Sequence, residues 1–443
     1  MSSLPVAVVL PELLAALHHA PQVLLNAPTG AGKSTWLPLQ ILKEGTVRGK
    51  IILLEPRRLA ARNVAQRLAE LLGEKPGETV GYRMRAETCV GPSTRLEVVT
   101  EGILTRMLQN DPELNGVGLV ILDEFHERSL QADLALALLL DVQQGLRDDL
   151  RLLIMSATLD NERLQQTLPD APVIASEGRA FPVERRYQAL PAHQRFDDAV
   201  AIATAELLRQ ESGSLLLFLP GVGEIQRVQD QLASRVGSDV LLCPLYGALS
   251  LADQRKAILP APAGQRKVVL ATNIAETSLT IEGIRLVVDS AQERVASFDA
   301  RTGLTKLLTQ RISQASMVQR AGRAGRLEPG ICLHLTSAEQ AERAAQQSTP
   351  EILHSDLAGL VMDLLQWGCP DPAQLTWLNP PPAANLAAAR ALLNRLGALD
   401  GERLSSRGQK MAALGNDPRL AAMLVAARGE DEIATAAKLA AIL

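Results

Sequence analysis

The chain has 443 residues, 47% of them apolar, which is long for one domain and allows two or three domains with sizeable cores. No apolar run reaches the length of a membrane span, so we expect no membrane partner. The net charge of −4 excludes nucleic-acid binding through an overall positive field, and any such binding requires a local basic groove.

The N-terminus and the cysteines indicate the compartment. The opening MSSLPVAVVLPELL lacks the basic start and the small-residue cleavage site of a signal peptide. Four cysteines stand far apart without a CxxC pair: Cys89, Cys243, Cys332 and Cys369. This spacing predicts a reducing environment with no disulfide framework and no structural metal site, so we expect a cytoplasmic protein.

The first block of the chain alternates short apolar runs with helix-like segments. The predicted buried strands are residues 23–25, 51–54, 119–122 and 152–155. Helical patterns lie between them, at residues 58–72 and 129–142. The alternation predicts an α/β fold with a parallel sheet and helices on both of its faces.

The first strand runs into NAPTGAGKST, residues 26–35. Apart from Ala27, where the strict pattern has glycine, the stretch fits the phosphate-binding loop G-x-x-x-x-G-K-[ST]. Lys33 and Ser34 are predicted to begin a helix whose N-terminus binds phosphate, with Ser34 ligating Mg²⁺. The alternative is a glycine-rich turn that binds nothing. The predicted nucleotide-binding residues are Thr29, Gly30, Ala31, Gly32, Lys33, Ser34 and Thr35.

The third strand ends on two carboxylates, in VILDEFHERS. Asp123 lies where a carboxylate beside the phosphate-binding loop can hold Mg²⁺, and Glu124 can orient or deprotonate the attacking water. The predicted metal site is Ser34, Asp123 and Glu124, and a strand ending in solvated acids is the alternative. His126 is predicted to connect the nucleotide site to a second domain, although most histidines have no such role.

The tripeptide Ser156-Ala157-Thr158 follows the fourth strand. Its hydroxyls are predicted to bind His126 or Asp123 and so to couple the site to its surroundings, with an ordinary helix cap as the alternative. Two further polar segments, 56–58 and 100–102, also follow apolar runs of this block.

The strand pattern restarts after about residue 180, with residues 177–182 as a plausible joint. Strands are predicted at residues 214–219, 268–271 and 286–289, and a helix at 199–210. Residues 272–278, which follow the second of these strands, are rich in hydroxyl and amide groups suited to phosphate or sugar oxygens, unless they form a plain polar loop. Residues 294–313 read as a hairpin turning at 299–303, either a wedge for a duplex or ordinary sheet structure.

The stretch QRAGRAGR, residues 319–326, has arginines at 320, 323 and 326 with small residues between them. At a helix start this spacing puts Arg323 and Arg326 on neighbouring faces, where they can stabilise charge on a γ-phosphate. The alternative is a basic face that pairs with acids or binds a phosphate backbone. Beyond residue 338 the sequence pattern indicates helices. One helix is predicted at 386–396, and the chain ends at AAKLAAIL without a capping residue.

Taken in chain order, these stretches resemble the DEAH-box/RHA branch of superfamily 2 RNA helicases, most closely its bacterial HrpB-type ATP-dependent members. The matching stretches within residues 27–326 are APTGAGKST, EPRRLAARNVAQR, VTEG, DEFH, SAT, ATNIAETSLTIEGI and QRAGRAGR. STPEILHSDLAGLVMDLLQWG and the region from LNPPP to LGALD resemble the winged-helix domain of the family.

The resemblance implies two tandem RecA-like P-loop domains with parallel sheets, at residues 1–178 and 179–337. A small, mostly helical winged-helix domain at 338–408 and the start of a truncated helical bundle at 409–443 would follow. ATP and Mg²⁺ would bind between the first two domains. The implied catalytic residues are Lys33, Glu124, Gln319, Arg323 and Arg326, the two arginines acting as fingers and Gln319 placing the water. The implied RNA contacts are Arg57, Thr100, Thr272, Asn273 and Thr277.

By the same resemblance, the protein is expected to hydrolyse ATP and other nucleoside triphosphates while moving 3′→5′ along single-stranded RNA as a monomer. Two departures from the family pattern are present: Phe125 replaces the usual alanine, and Ile258 stands where an aromatic residue would clamp the base opposite Arg67. The second departure predicts weak base selectivity. The rival hypotheses are a switch ATPase that does not depend on nucleic acid and a DNA translocase.

Overall fold

The computed structural model describes residues 4–158, 162–178, 180–277, 279–415 and 417–443. Arg179, within the segment interpreted as the joint, lies outside the described residues, as does Ser278 of the polar segment 272–278. The strands of the first block are β1 (Gln22–Asn26), β2 (Lys50–Leu54), β3 (Val80–Met84), β4 (Glu87–Cys89), β5 (Leu96–Val99), β6 (Val117–Leu122), β7 (Arg151–Ser156) and β8 (Val173–Ala175). Its helices are α1 (Val6–His19), α2 (Leu37–Glu44), α3 (Arg58–Leu71), α4 (Glu101–Asn110), α5 (Leu130–Gly145) and α6 (Glu162–Thr167).

These strands form one sheet in the order β4-β3-β5-β2-β6-β7-β1-β8. Every neighbouring pair is parallel except β3 and β4. The four strands predicted for this block are confirmed, and β3, β4, β5 and β8 were not predicted because they are short or interrupted by polar residues. The carboxyl ends of β1, β2, β6 and β7 meet at one edge, which brings together the segments that follow them.

The second block contains the strands β9 (Val183–Tyr187), β10 (Ser214–Phe218), β11 (Val240–Leu245), β12 (Arg266–Ala271), β13 (Ile284–Asp289), β14 (Gln292–Asp299), β15 (Leu304–Arg311) and β16 (Gly330–His334). Its helices are α7 (Phe196–Gln210), α8 (Val222–Ala233), α9 (Leu251–Ile258) and α10 (Gln314–Gly322). A parallel sheet has the order β11-β12-β10-β13-β16-β9. Strands β14 and β15 form the predicted hairpin, and Gly303 in its turn donates to the Asp299 carbonyl at 2.8 Å.

The remaining chain is mainly helical. It contains α11 (Ala338–Glu342), α12 (Ala358–Trp367), α13 (Ala383–Arg395), β17 (Leu399–Asp400), β18 (Arg403–Leu404), α14 (Ser406–Leu414), α15 (Pro418–Ala426) and α16 (Gly429–Ile442). The predicted α/β class with two tandem parallel-sheet domains is thereby confirmed. Within the described residues, no helix is both long and apolar enough to cross a membrane.

The C-terminal helices pack on the first domain. Leu364 and Leu393 are buried in the same apolar core as Leu136 and Leu139 of α5. Trp367 supports this contact, since its Nε1 donates to an α5 carboxylate oxygen at 2.8 Å. The helical part and the first domain thus share one apolar core, which sequence reasoning did not predict.

The hairpin of the second domain contacts this same helical part. The backbone N–H of Phe298 donates to the His354 carbonyl at 2.9 Å, and His354 Nδ1 lies 3.1 Å from the Ala296 carbonyl oxygen. Arg419 Nη2 donates to the carbonyl of Gly303 at 3.3 Å. The hairpin therefore bridges from the second domain to the C-terminal helices.

Candidate active site

The loop after β1 has the backbone conformation that a phosphate-binding loop requires. Gly30 and Gly32 adopt φ values of +86° and +92°, in a region that favours glycine because it has no Cβ. Ala27 is not among the described residues with positive φ, so alanine replaces the glycine of the strict pattern without backbone strain. Thr29, Ala31 and Thr35 lie in the same loop.

The helix after the loop begins later than predicted. Residues 33–36 form turns, and α2 begins at Leu37 rather than at Lys33. Pro38 explains the difference, because proline lacks the N–H that an interior helical position would use and therefore favours the first turn.

Ser34 and Asp123, two of the predicted Mg²⁺ ligands, are in direct contact. The Ser34 hydroxyl donates to Asp123 Oδ2, and Asp123 Oδ1 accepts from the Glu124 backbone N–H at 2.8 Å. Lys33 Nζ donates to the Ala27 carbonyl at 3.2 Å and lies 3.6 Å from Glu124 Oε1. The loop and the end of β6 therefore form one buried group of polar side chains.

Glu55, which follows β2, is a carboxylate of this group that sequence reasoning missed. It is 1% exposed, and burial together with the charges of Asp123, Glu124 and Glu127 raises its pKa well above the usual value. Its Oε2 has no hydrogen-bond partner within the described residues. A divalent cation would offset this concentration of buried negative charge, so the residues present fit Mg²⁺. The missed signal was a carboxylate at a strand end, the same signal that identified Asp123.

Glu124 stands at a strained bend of the chain. It has a φ of +52° and precedes the 3₁₀ turn Phe125–Glu127, and Arg128 after the turn has a φ of +47°. Non-glycine residues in this region are uncommon and cluster at functional sites. Phe125, which departs from the family pattern, is 1% exposed and packs in the main core behind the site.

His126 connects Glu124 to the tripeptide 156–158. Its Nδ1 accepts from the Ala157 backbone N–H at 3.2 Å, so a neutral imidazole has its proton on Nε2. That Nε2 lies 3.2 Å from Glu124 Oε2. The predicted link through hydroxyls is wrong, because the Ser156 and Thr158 hydroxyls lie 3.3 Å from each other and the tripeptide contacts His126 through a backbone amide.

Arg323 and Arg326 of QRAGRAGR follow a helix rather than start one, and Arg320 lies in the last turn of that helix. Helix α10 ends at Gly322, and Arg323–Gly325 form a 3₁₀ turn, since glycine disfavours continuation of the helix. Arg320 is 1% exposed and pairs with Glu276 at 3.0 Å and Asp289 at 2.8 Å. It is therefore a structural cation of the second domain.

Arg323 and Arg326 are held by the loop after β12. Arg323 donates to the carbonyls of Glu276 at 2.7 Å and Leu279 at 2.5 Å, while Arg326 Nη1 donates to Thr280 Oγ1 at 3.1 Å. The Nη2 groups of both arginines have no hydrogen-bond partner in the part of the chain that the structure describes. Each guanidinium thus keeps one donor for another group.

The Arg326 guanidinium lies against the phosphate-binding loop, with Arg323 beside it. A Cβ built on Gly30 would lie 3.9 Å from the guanidinium carbon of Arg326. Burial lowers the pKa of Arg326 to about 10 and that of Arg323 well below its usual value; Arg326 lowers the pKa of Arg323 further, and Glu124 opposes the shift for both arginines. Gln319 Oε1 is also buried without a described partner. Two incompletely neutralised cations beside a phosphate-binding loop fit a polyphosphate.

A cavity of about 470 Å³ opens between the two domains, the hairpin and the C-terminal part. Its described lining contains three of the five residues predicted to contact RNA, Arg57, Asn273 and Thr277. Thr100 is buried at the start of α4, and Thr272 precedes the 3₁₀ turn Asn273–Ala275, and neither belongs to this lining. The cavity also reaches the nucleotide side of the cleft through His126, Thr158 and Gln319.

Two family models match the two domains. Residues 9–167 match a DEAD/DEAH box helicase model, and residues 198–328 match a helicase conserved C-terminal domain model. The first match contains the phosphate-binding loop, and the second contains Arg323 and Arg326.

The chain is 83% identical over 443 residues to the ATP-dependent RNA helicase HrpB of Escherichia coli K12, covering all of this chain and 55% of that protein. It is 37% identical over 428 residues to the probable ATP-dependent RNA helicase DHR2 of Saccharomyces cerevisiae, covering 94% of this chain and 58% of that protein. The chain thus spans just over half the length of these relatives.

A crystal structure of the E. coli DEAH/RHA helicase HrpB superposes with a TM-score of 0.96 at 83% identity, covering 99% of this chain and 56% of that chain. A second crystal structure, of the E. coli DExH-box NTPase HrpB, gives a TM-score of 0.91 at the same identity, covering 100% of this chain and 55% of that chain.

Proposed function

The chain belongs to the DEAD/DEAH-box helicases, in their DEAH/RHA branch, and on this premise we propose that it is an ATP-dependent RNA helicase that moves 3′→5′ along single-stranded RNA. One observation supports hydrolysis above all others. Arg326 of the second domain lies against Gly30 of the phosphate-binding loop in the first domain, and its Nη2 group has no hydrogen-bond partner among the described residues. A nucleotide in this cleft would touch both domains, so its cleavage can change their contact.

The residues of the cleft have separate roles in ATP hydrolysis. When bound, ATP supplies the anhydride bond that is broken and Mg²⁺ supplies a Lewis acid. Backbone N–H groups of the loop and Lys33 would bind the phosphates, and Ser34 and Asp123 would hold the metal. Glu124 accepts the proton of the attacking water.

Four further side chains complete this division of roles. His126 Nε2 lies 3.2 Å from Glu124 Oε2 and so helps to position that carboxylate, although the two atoms are not aligned for a hydrogen bond in this structure. Gln319 places the water, and the unused Nη2 donors of Arg323 and Arg326 stabilise the charge that develops on the transferred phosphoryl group.

The 470 Å³ cavity supports RNA as the second ligand. Arg57 offers a guanidinium for phosphate, while Asn273 and Thr277 offer amide and hydroxyl groups for phosphate and sugar oxygens. Because these donors recognise the backbone and not the bases, they suit a strand that moves past them. We expect binding to depend on strand chemistry and salt more than on sequence.

ATPase measurements with and without single-stranded RNA test this function. We expect turnover to rise with RNA and to rise less with single-stranded DNA of equal length. A flat response to both would favour a switch ATPase, and an equal or larger response to DNA would favour a DNA translocase.

A second prediction concerns the hairpin as a wedge. Leu304, at the end of the hairpin turn, is 59% exposed, which leaves an apolar side chain available to contact bases at a duplex junction. Deleting the turn, residues 298–304, should spare RNA-stimulated ATPase and impair displacement of a strand from a duplex with a 3′ overhang.

The matched control for the hairpin is Arg419→Ala. This change removes the side-chain contact with the Gly303 carbonyl, together with the 2.8 Å ion pair to Asp356, but leaves the hairpin whole, so strand displacement should survive. If the deletion variant still separates strands, the hairpin is not a wedge. If Arg419→Ala is equally impaired, the contact with the C-terminal helices matters and the turn itself does not.

A further inference from the structure

Glu127, one residue after DEFH, binds two groups from opposite sides of the cleft. Its Oε1 accepts from Arg57 Nη2 at 3.4 Å and from Thr277 Oγ1 at 2.5 Å. Arg57 follows β2 in the first domain, and Thr277 lies in the loop after β12 in the second. Both line the cavity proposed for RNA. One carboxylate oxygen therefore accepts hydrogen bonds from a guanidinium and a hydroxyl, and both donors would suit a phosphate oxygen equally well.

The Arg57–Glu127 half of this contact is open to exchange, whereas the Thr277 hydroxyl that completes it is buried. The Arg57 and Glu127 side chains are 23% and 20% exposed, and both line the open cavity. A partly exposed ion pair of this kind contributes little to stability, because water screens the charges. A phosphodiester that enters the cavity meets Arg57 and Thr277 and can compete with the carboxylate for both donors.

Glu127 is also connected to the hydrolytic carboxylate. Its backbone N–H donates to the Glu124 carbonyl at 3.0 Å within the 3₁₀ turn. The turn lies between Glu124 and Arg128. Both have the left-handed backbone conformation, which is unfavourable for residues other than glycine. Side-chain ligand atoms of Glu124, His126 and Glu127 lie within 4.8 Å of one another. A shift of the Glu127 carboxylate can therefore be transmitted to Glu124 through this single backbone hydrogen bond.

We propose that Glu127 is an internal phosphate mimic, which holds Arg57 and Thr277 until a backbone phosphate of RNA replaces it. The inference rests on the proposed function, because it takes RNA as the ligand of the cavity. The released carboxylate moves the 3₁₀ turn and with it Glu124, so Glu127 is a positioning residue for RNA-stimulated hydrolysis.

The exchange has a consequence for salt dependence. When a protein cation neutralises a phosphate, a condensed counter-ion is released from single-stranded RNA. The slope of log K for binding against log salt concentration then becomes steeper by about 0.7. At Arg57 this release is offset, since the freed Glu127 carboxylate attracts a cation in return. Glu127→Gln removes the offset while its amide oxygen can still accept from Thr277.

The test measures binding of a fluorescent single-stranded oligoribonucleotide to the 443-residue chain by anisotropy over a series of salt concentrations. We expect Glu127→Gln to bind more tightly at low salt and to steepen the slope by about 0.7. We also expect the ratio of RNA-stimulated to basal ATP turnover to fall, because the variant has lost the charge pairing with Arg57 that holds the turn before RNA binds.

Two further variants make the result specific. Glu351→Gln removes a carboxylate that lines the same cavity but accepts from the Leu130 backbone N–H, and it should leave the slope unchanged. In an Arg57→Gln background, Glu127→Gln should likewise leave the slope unchanged, since the donor for the phosphate is gone.

An unchanged slope in Glu127→Gln alone, or a change that persists in the Arg57→Gln background, would overturn the inference and leave the helicase proposal standing. If the unaltered chain binds no RNA, the proposed function falls and the inference falls with it.

Discussion

Glu124→Gln is expected to lower ATP turnover by about 10²–10⁴-fold while nucleotide binding persists. The substitution keeps the shape of the side chain but removes the base that accepts the proton of water. The phosphate-binding loop does not depend on that charge, because its backbone donors and Lys33 remain. Steady-state ATPase assays give the turnover, and binding of a fluorescent ATP analogue gives the affinity.

The matched control is Glu12→Gln, which changes an exposed carboxylate on α1. It should leave turnover and affinity unchanged. Near-normal turnover in Glu124→Gln would contradict the role of Glu124 as the base. An equal loss of turnover and nucleotide affinity would instead indicate that the buried pair with Lys33, 3.6 Å apart, mainly organises the loop.

Arg326→Ala is expected to lower turnover by about 10³-fold or more, with a much smaller loss of nucleotide affinity. The arginine stabilises charge that develops only as the γ-phosphoryl group is transferred, so its removal affects the transition state more than the bound nucleotide. Arg326→Lys keeps the charge but not the planar fork of donors and should recover part of the activity. Single-turnover kinetics separate the chemical step from binding.

Arg301→Ala is the control for Arg326, because it removes an arginine whose side chain is 91% exposed on the hairpin turn. It should leave ATP hydrolysis without RNA unchanged. Equal losses of turnover and affinity in Arg326→Ala would show that Arg326 is structural. Arg323 is a less direct test, since it donates to the carbonyls of Glu276 and Leu279 and its loss would also disturb the loop after β12.

The position of the C-terminal helices suggests which parts move during hydrolysis. They share a core with the first domain, whereas the cavity and the arginine contacts form the boundary with the second domain. We therefore expect the first domain and the C-terminal helices to move together against the second domain. The hairpin belongs to the second domain and is bonded at Phe298 to His354 of the C-terminal part. It would therefore be displaced whenever the two domains move relative to each other.

Some features of the site were predictable because they depend on neighbours in the chain. The conformation at Gly30 and Gly32, and the carboxylates Asp123 and Glu124 at the end of an apolar strand, follow from local steric preference and from the alternation of strand and helix. In a parallel sheet the ends of successive strands meet at one edge. Local pattern alone therefore predicted that the loop and the carboxylates lie together.

Other features were mispredicted because the competing local choices are close in energy. The helix after the loop begins at Leu37 and not at Lys33, since Pro38 limits where the first turn can form. The arginine segment ends a helix and does not start one, since the glycines after Arg320 disfavour its continuation. A spacing of three is compatible with either end of a helix.

By itself, the sequence determined the two parallel-sheet domains, their order and the chemistry of each strand end, because burial periodicity and backbone sterics act over a few residues. Only the tertiary structure decided that Arg326 lies against Gly30, that Glu127 joins Arg57 to Thr277, and that the C-terminal helices share the core of the first domain. Such contacts join residues tens to hundreds of positions apart. They depend on how whole domains are oriented, and no local pattern encodes that orientation.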